Sequence, residues 1–490
     1  MVHKKRRALI EHAREGTHRS TLKRTALHTR RNSWWPYFML ASVFLLLAAP
    51  TPAASDNAEM NNPARLTLTD CIQRVLEHHP SIQEVQWDVA IRKSDLQQAQ
   101  AARYPTGEFV NIFGVVNDVH GSLAGNRPIR TGGINQLGPF TRLEGQIVYP
   151  LFTWGKISNG ITAASKGVAQ EEANVERKKE EAVREVKEFY YTLQYTLQIK
   201  SLLGDVRDGF QKAMTTADKR LKEGKGKISQ LDLLNLKIGY AGVAKETGKL
   251  DNGIELTKAA LLRVLGLPQT TAFTPAEPTL TPQAAQLKEL DYYVQRLFVH
   301  RPEWHRLLLG IQAKEAELAL TRSDYFPMFF LAVPIRYGYA PGRSRQTNPF
   351  AHDDFNFGSA GPVLGLRWNF DISGTAAKVT RTQAELTKLH TQMKTAEQGF
   401  PVEVKEAYLN VKETKERLKI TEDGRKAGRA LVALATANFE LGIGEPQDIF
   451  LGLGNYTRAA NDYYEAVRDY NTALAKLSLV IGEEVSELQY

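Results

Sequence analysis

The segment EVKEFYY, residues 185–191, is written again as EVKEAYL at residues 403–409. The two copies belong to a longer correspondence. At a separation of 222, Gln73, Arg74, His78, Pro80, Leu96 and Pro105 recur as Gln295, Arg296, His300, Pro302, Leu318 and Pro327. The separation is 218 at the EVKE pair. It settles at 216, where Gly226, Asp232, Tyr240, Ala244, Ala259, Leu261 and Gly266 recur as Gly442, Asp448, Tyr456, Ala460, Ala475, Leu477 and Gly482. Solenoid repeats have periods of about 20–50 residues. A period this long marks a duplicated half-protein.

The chain has 490 residues and a formal net charge of +9. Residues 1–54 hold 10 of the basic residues and 2 of the acidic ones, which leaves 53 basic and 52 acidic residues in the remainder. The positive charge is therefore a property of the N-terminus and not of a binding face, which argues against nucleic acid as a partner. In that N-terminus ten basic residues precede the apolar stretch Phe38–Ala49, 12 residues long, and the small residues of TPAAS follow. The stretch is too short to span a bilayer comfortably. It reads as a signal peptide over 1–54, cleaved after Ala53 or Ala54. The single cysteine, Cys71, cannot form an intramolecular disulfide, so packing must hold the fold. After the signal there is no apolar run of 18 residues. Helices cannot therefore place the mature chain in a membrane, whereas a β-barrel can.

Each half reads as a helix, a strand pair, a very long helix and a further helix. The first repeat covers 55–267 and the second 288–482, with a Pro-rich linker at 268–287 and a tail at 483–490. Helical patterns run over 66–103 and 288–324, each stopping at an aromatic-Pro pair. Between about 155 and 222 there is no proline, which predicts a helix of some 65 residues, roughly 100 Å long. Its stripe Leu203, Val206, Phe210, Ala213, Ala217, Leu221 has coiled-coil spacing. The second long helix covers about 375–440, with Pro401 as a potential kink. Shorter helices cover about 229–265 and 446–481.

Strands are predicted at 106–117, 141–151, 328–339 and 362–372. Leu143 and Ile147 alternate with Arg142, Glu144 and Gln146, and Leu364, Leu366 and Trp368 alternate with Arg367 and Asn369. Such alternation suits a sheet with one wet face, and equally a barrel strand between lipid and water. Four strands cannot close a barrel, since the smallest membrane barrels have about eight. Membrane strands would require oligomerisation, and three copies would supply twelve.

The duplicated halves, the His-Pro starts, the Tyr-Pro and Phe-Pro strand entries, the tip segments GKISQLDLL and GIGEPQDIF and the Leu-Gly and Ile-Gly helix ends occur in a fixed order over some 400 residues. In this the chain resembles the TolC-like outer membrane efflux proteins. The resemblance implies a mainly α fold with a membrane β-barrel portion, in which a long coiled-coil tunnel crosses the periplasm and a homotrimer closes a twelve-stranded barrel. It further implies a passive exit duct for efflux or type I secretion, not an enzyme. Its partners would be outer-membrane lipid, a periplasmic adaptor protein and an inner-membrane pump. Leu143, Ile147, Leu364, Leu366 and Trp368 would then face lipid. Asp448, Asp232 and Phe439 fall at the periplasmic gate, and Gly224, Gly226, Gly442 and Gly444 at the adaptor-contact tip. The pattern departs from the family at three places. Leu451 stands where a second acid is expected, Phe439 where a gate tyrosine is expected and Gly444 where a basic residue is frequent.

Bland readings stand beside these. Ser229 and Asp232 have capping-box spacing, and Pro446 with Asp448 suits a helix start, so both acids can be caps as well as gate residues. His300 and His305 are five apart, the wrong spacing for metal ligands on one helix face, and they read with His78 and His79 as helix-start polar residues. HDDFNF at 352–357 reads as an exposed acidic loop. No catalytic set, metal site or cofactor motif is predicted. A periplasmic coiled-coil scaffold without a pore is the alternative.

Overall fold

The computed structural model of the chain describes residues 64–121, 128–224, 228–346, 350 and 352–485. The signal-like segment 1–54 and the end of the tail lie outside them. The first half runs β1 (Ala64–Leu66), α1 (Leu68–His78), α2 (Pro80–Ala101), β2 (Thr106–Asn117), the short β3 (Val119–His120) and β4 (Arg130–Thr131), β5 (Leu137–Phe152), the 67-residue α3 (Lys156–Lys222) and α4 (Gln230–Val264). After β6 (Phe273–Pro275), the second half runs α5 (Leu290–His300), α6 (Pro302–Ser323), β7 (Met328–Tyr339), β8 (Phe357–Ala360), β9 (Val363–Arg367), the 70-residue α7 (Ile372–Leu441) and α8 (Pro446–Ile481).

The single helices expected over 66–103 and 288–324 are each two helices. Proline donates no N–H and drives the residue before it out of the helical region. His79 and Arg301 accordingly adopt extended backbone, and each caps the end of one helix and the start of the next. His79 Nδ1 accepts a hydrogen bond from the Ser81 N–H at 3.3 Å. The breaks coincide with the glycine-terminated ends of α4 and α8. Gly482 has φ +72, and a Cβ there would lie 2.7 Å from the His300 carbonyl. Gly266 meets the His78 carbonyl in the same way. The repeated His-x-Pro and Leu-Gly or Ile-Gly signatures are therefore two sides of one contact, made once in each half. Pro401, by contrast, lies inside α7 without ending it.

This waist also explains the repeated EVKE. Val186 and Val404 are both fully buried, each in its own apolar cluster, with Tyr190 beside the first and Ala407 beside the second. Burying one such valine contributes about 1.5–3 kcal/mol. Glu185 pairs with Arg263 near the end of α4, and Glu406 with Lys476 near the end of α8. The linker segment is held to the same region. Parallel pairing joins β1 to β6, Gln194 donates to the Glu277 carbonyl at 2.7 Å, and Asn471 takes the Gln283 N–H at 2.9 Å while donating to the Thr281 carbonyl. Past Gly482, Glu483 forms a bidentate pair with Arg296, and Glu484 meets the buried Lys187 at 2.7 Å.

The main sheet has the order β2-β5-β7, with β8 and β9 together forming the fourth strand beside β7. The strand expected over 362–372 is the shorter β9, which ends at Arg367, and β8 precedes it across Gly361-Pro362 on the same edge. The strand expected at 141–151 begins earlier, at Leu137. Four cross-strand positions pair glycine with phenylalanine: Phe109 with Gly145, Gly114 with Phe140, Gly338 with Phe357 and Phe330 with Gly365. In each pair the ring lies where a Cβ would stand, within 2.6 Å, so the aromatic covers the bare backbone.

At the waist one buried carboxyl oxygen has no hydrogen-bond partner among the described residues. Glu180 Oε2 on α3 is enclosed, with Glu303 and Glu176 nearby. Arg301 is beside it: its Nη2 holds Glu403 at 2.7 Å, its Nε holds Glu303 at 3.3 Å, and its Nη1 is buried without a hydrogen-bond partner. Burial, aided by the two neighbouring glutamates and opposed by Arg301, pushes the Glu180 carboxyl from 4.5 up to about 8. A carboxyl with a raised folded-state pKa binds its proton more tightly when folded. The stability it contributes is present below the unfolded pKa and is lost as pH rises through the folded one. The thermal midpoint should therefore fall as pH rises from about 5 to about 9. Glu180→Gln should flatten that slope in calorimetry, and an unchanged slope would show that the carboxyl is already ionised in the fold.

Candidate functional site

Two regions gather the residues singled out in the sequence: the main sheet and the turns at the far ends of the long helices. In the sheet, register decides which side chains share a face. Leu143 lies opposite Asn111 and Tyr337, and Ile147 opposite Gly107 and Val333. Leu331 lies opposite Leu364, and Phe329 opposite Leu366. Leu143, Ile147, Leu364 and Leu366 therefore stand on one face, together with Phe109, Phe113, Val115, Tyr337 and Tyr339. This face is bare, with Leu364 79% and Phe113 75% exposed. Trp368 is one residue past β9. Its Nε1 donates to the Tyr325 carbonyl at 3.2 Å and its ring packs on Phe370 at 4.2 Å.

Sequence reasoning did not single out Trp154. It follows β5 with φ +52, donates from Nε1 to the Pro327 carbonyl at 2.9 Å and stacks on Phe326 at 4.8 Å. The two tryptophans thus occupy equivalent junctions between strands and helices in the two halves. Tyr337 and Tyr339 lie toward the opposite end of the same face.

At the helix turns both aspartates act as caps. Asp232 Oδ2 accepts the Ser229 N–H at 2.9 Å and the Ser229 hydroxyl at 2.8 Å, and the Asp232 N–H donates to Ser229 Oγ at 3.3 Å. Asp448 Oδ2 accepts the Glu445 N–H at 3.1 Å. Asp448 remains exposed, as does Leu451 one turn later. Gly442 ends α7 with φ +84. At Gly444 a Cβ would come within 2.9 Å of Asn438 and of the Phe439 nitrogen, so space alone excludes a basic side chain there. Gly224 has φ +64, and Gly226 lies outside the described residues.

Phe439 is only 2% exposed and belongs to the apolar cluster formed with Phe210, Leu236, Ile449 and Leu453. It has no hydroxyl to latch with, but its position is latched by another group. Arg220, in the last turn of α3, donates to the Phe439 carbonyl at 2.7 Å and the Glu440 carbonyl at 2.9 Å. Its guanidinium also lies over the Phe439 ring at 5.0 Å. A cation at a helix C-terminus satisfies orphan carbonyls and complements the helix dipole. Here the helix is α7, so one side chain ties the first hairpin to the second. The sequence shows only a basic last turn in α3.

The arrangement contains apolar strand surface, capped helix turns and an interhairpin clamp. His305 Nε2 contacts the Val299 carbonyl at 2.7 Å, and Asp353 accepts three backbone N–H groups of its own loop. These side chains are occupied by structural roles.

Comparisons with known proteins agree with the fold. Among solved structures the chain is similar to the outer membrane protein VceC of Vibrio cholerae, with TM-score 0.68 and 17% identity over 86% of this chain and 97% of that one. It is similar to the open-state MtrE outer membrane channel of Neisseria gonorrhoeae, with TM-score 0.67 and 14% identity over 86% and 89%. It is also similar to the CmeC outer membrane channel of Campylobacter jejuni, with TM-score 0.65 and 13% identity over 89% and 92%. Among curated protein sequences no relative matches. The sequence profile described as outer membrane efflux protein matches residues 143–267 and 294–483, well over half of the chain. The chain therefore belongs to the outer membrane efflux protein family.

Proposed function

We propose that the chain is one third of a trimeric exit duct in the outer membrane. The observation that carries this reading is a sheet four strands wide with two unpaired edges and one apolar face. A barrel must be closed, and membrane barrels begin at about eight strands, so three such sheets joined edge to edge give twelve. Leu143, Ile147, Leu364, Leu366 and Trp368 would face lipid. The tryptophans at one end and the tyrosines at the other suit the two membrane interfaces. The 67- and 70-residue helices extend from the sheet for about 100 Å, enough to reach across the periplasm. A pore-free periplasmic scaffold would leave the apolar face without a partner.

In this reading the turns form the periplasmic mouth. Asp448 from three copies narrows it, Asp232 and Phe439 stay in supporting positions, and Arg220 keeps the two hairpins of each protomer together. A periplasmic adaptor engages the tip at Gly224, Gly226, Gly442 and Gly444, and with an inner-membrane pump it opens the mouth. The chain supplies a passive conduit, and the pump selects the cargo.

Crosslinking in detergent should give a trimer, and fractionation should place it in the outer membrane. Only monomers, or a soluble periplasmic protein, would overturn the reading. Leu366→Arg should weaken assembly by about 2–4 kcal/mol if the site is near the bilayer midplane. Unchanged stability would place that face away from lipid.

Asp448→Asn tests the gate. Three carboxylates close to one axis repel one another and attract cations. The resting channel should be cation-selective and blocked by multivalent cations from the periplasmic side, and the variant should show weaker block in single-channel recordings. Asparagine also caps helices, so a pure cap would leave conductance, selectivity and block unchanged.

A further inference from the structure

Every charged side chain of the five main-sheet strands lies on the face opposite the apolar one: Glu108, Arg142, Glu144, Arg336 and Arg367. Three of them form one cluster. Arg142 donates to Glu144 Oε1 through Nε at 2.9 Å and Nη2 at 2.7 Å. Arg336, in register with Glu144 on the next strand, approaches the same oxygen only to 3.6 Å, beyond hydrogen-bonding distance. Two guanidiniums share one carboxylate, which leaves one positive charge in excess. Both arginines reach solvent, with side chains 38% and 56% exposed.

Aromatic surface lies beside the charge. On this face Phe140, Phe357 and Phe330 lie over cross-strand glycines, so their rings rest against bare backbone. Arg142 stands 5.8 Å from the centre of Phe357, and Arg367 stands 5.3 Å from the centre of Phe330. A guanidinium fork pairs with carboxylate or sulfonate oxygens, and a phenyl face stacks with a planar ring. We infer that the Arg142–Glu144–Arg336 cluster with Phe357 is a binding site for planar aromatic anions. The inference rests on the channel reading, which turns this face toward the barrel lumen and repeats the site three times. Such a site retains cargo of that class at the outer end of the duct, far from the acidic mouth.

Block of single channels tests it. The full-length protein is reconstituted in planar bilayers at low salt, where screening is weak. Naphthalene trisulfonate, sulfate or neutral naphthol is added on the side of the strand-connecting loops. The trisulfonate should block at concentrations where sulfate and naphthol do not. Arg336→Gln and Phe357→Leu should each raise the half-blocking concentration about two- to five-fold. Glu144→Gln should lower it, and opposite shifts from two variants of one cluster cannot come from misfolding. Channels whose block is the same in all three variants, or which sulfate blocks equally well, overturn the aromatic-anion site and leave the channel reading intact. Absence of any conductance overturns the channel reading and the site together.

Discussion

A peptide group in hydrocarbon that lacks a hydrogen-bond partner costs several kcal/mol. That constraint governs this molecule. Among the described residues, the outer edge of β2 and the outer edge of the β8–β9 strand pair with no further strand, on a sheet whose one face is almost wholly apolar. Such a sheet is unfinished as a single chain in either water or lipid. Water would meet the apolar face, and lipid would meet the bare edges. Joining copies edge to edge satisfies both demands. In the proposed trimer the long helices would then stand side by side beneath the barrel.

Much of this was legible in the sequence because it follows from periodicity and from proline. The absence of proline over residues 155–222 marks a helix of extraordinary length, and alternation marks the strands. The errors share a cause. The 3.6-residue pattern runs through Pro80 and Pro302, so pattern alone joins helices that the His-Pro and Arg-Pro steps divide. Pro401 shows why the rule does not run in reverse, because α7 continues through it. What distinguishes these prolines is tertiary: a glycine-ended helix meets the chain at the first two positions. The interruption of the fourth strand at Gly361-Pro362 was hidden by the apolar run around it.

The site was legible unevenly. Local spacing identified the caps at Asp232 and Asp448, because a capping box is made within four residues. Arg220 was invisible, because its acceptors are backbone carbonyls 219 and 220 positions away and no residue type advertises a carbonyl. Trp154 was missed for a similar reason, since its partner is the carbonyl of Pro327 in the other half. In the sequence Phe439 is marked only as the residue that stands where a gate tyrosine is expected. Its burial and the overlying guanidinium, which join it to the clamp, are not legible there.

The waist carries a consequence for the order of assembly. Lys187 is buried in the middle of α3, yet the carboxylate it pairs with is Glu484, 297 positions later. Arg296 likewise waits for Glu483, 187 positions later. These two pairs can therefore form only once α8 and the residues past Gly482 are in place. The apolar cluster of the first half is built almost wholly from its own residues and the linker, with Val467 of α8 as its buried member from the second half. The waist thus ties the last described residues of the chain to the middle of its first long helix.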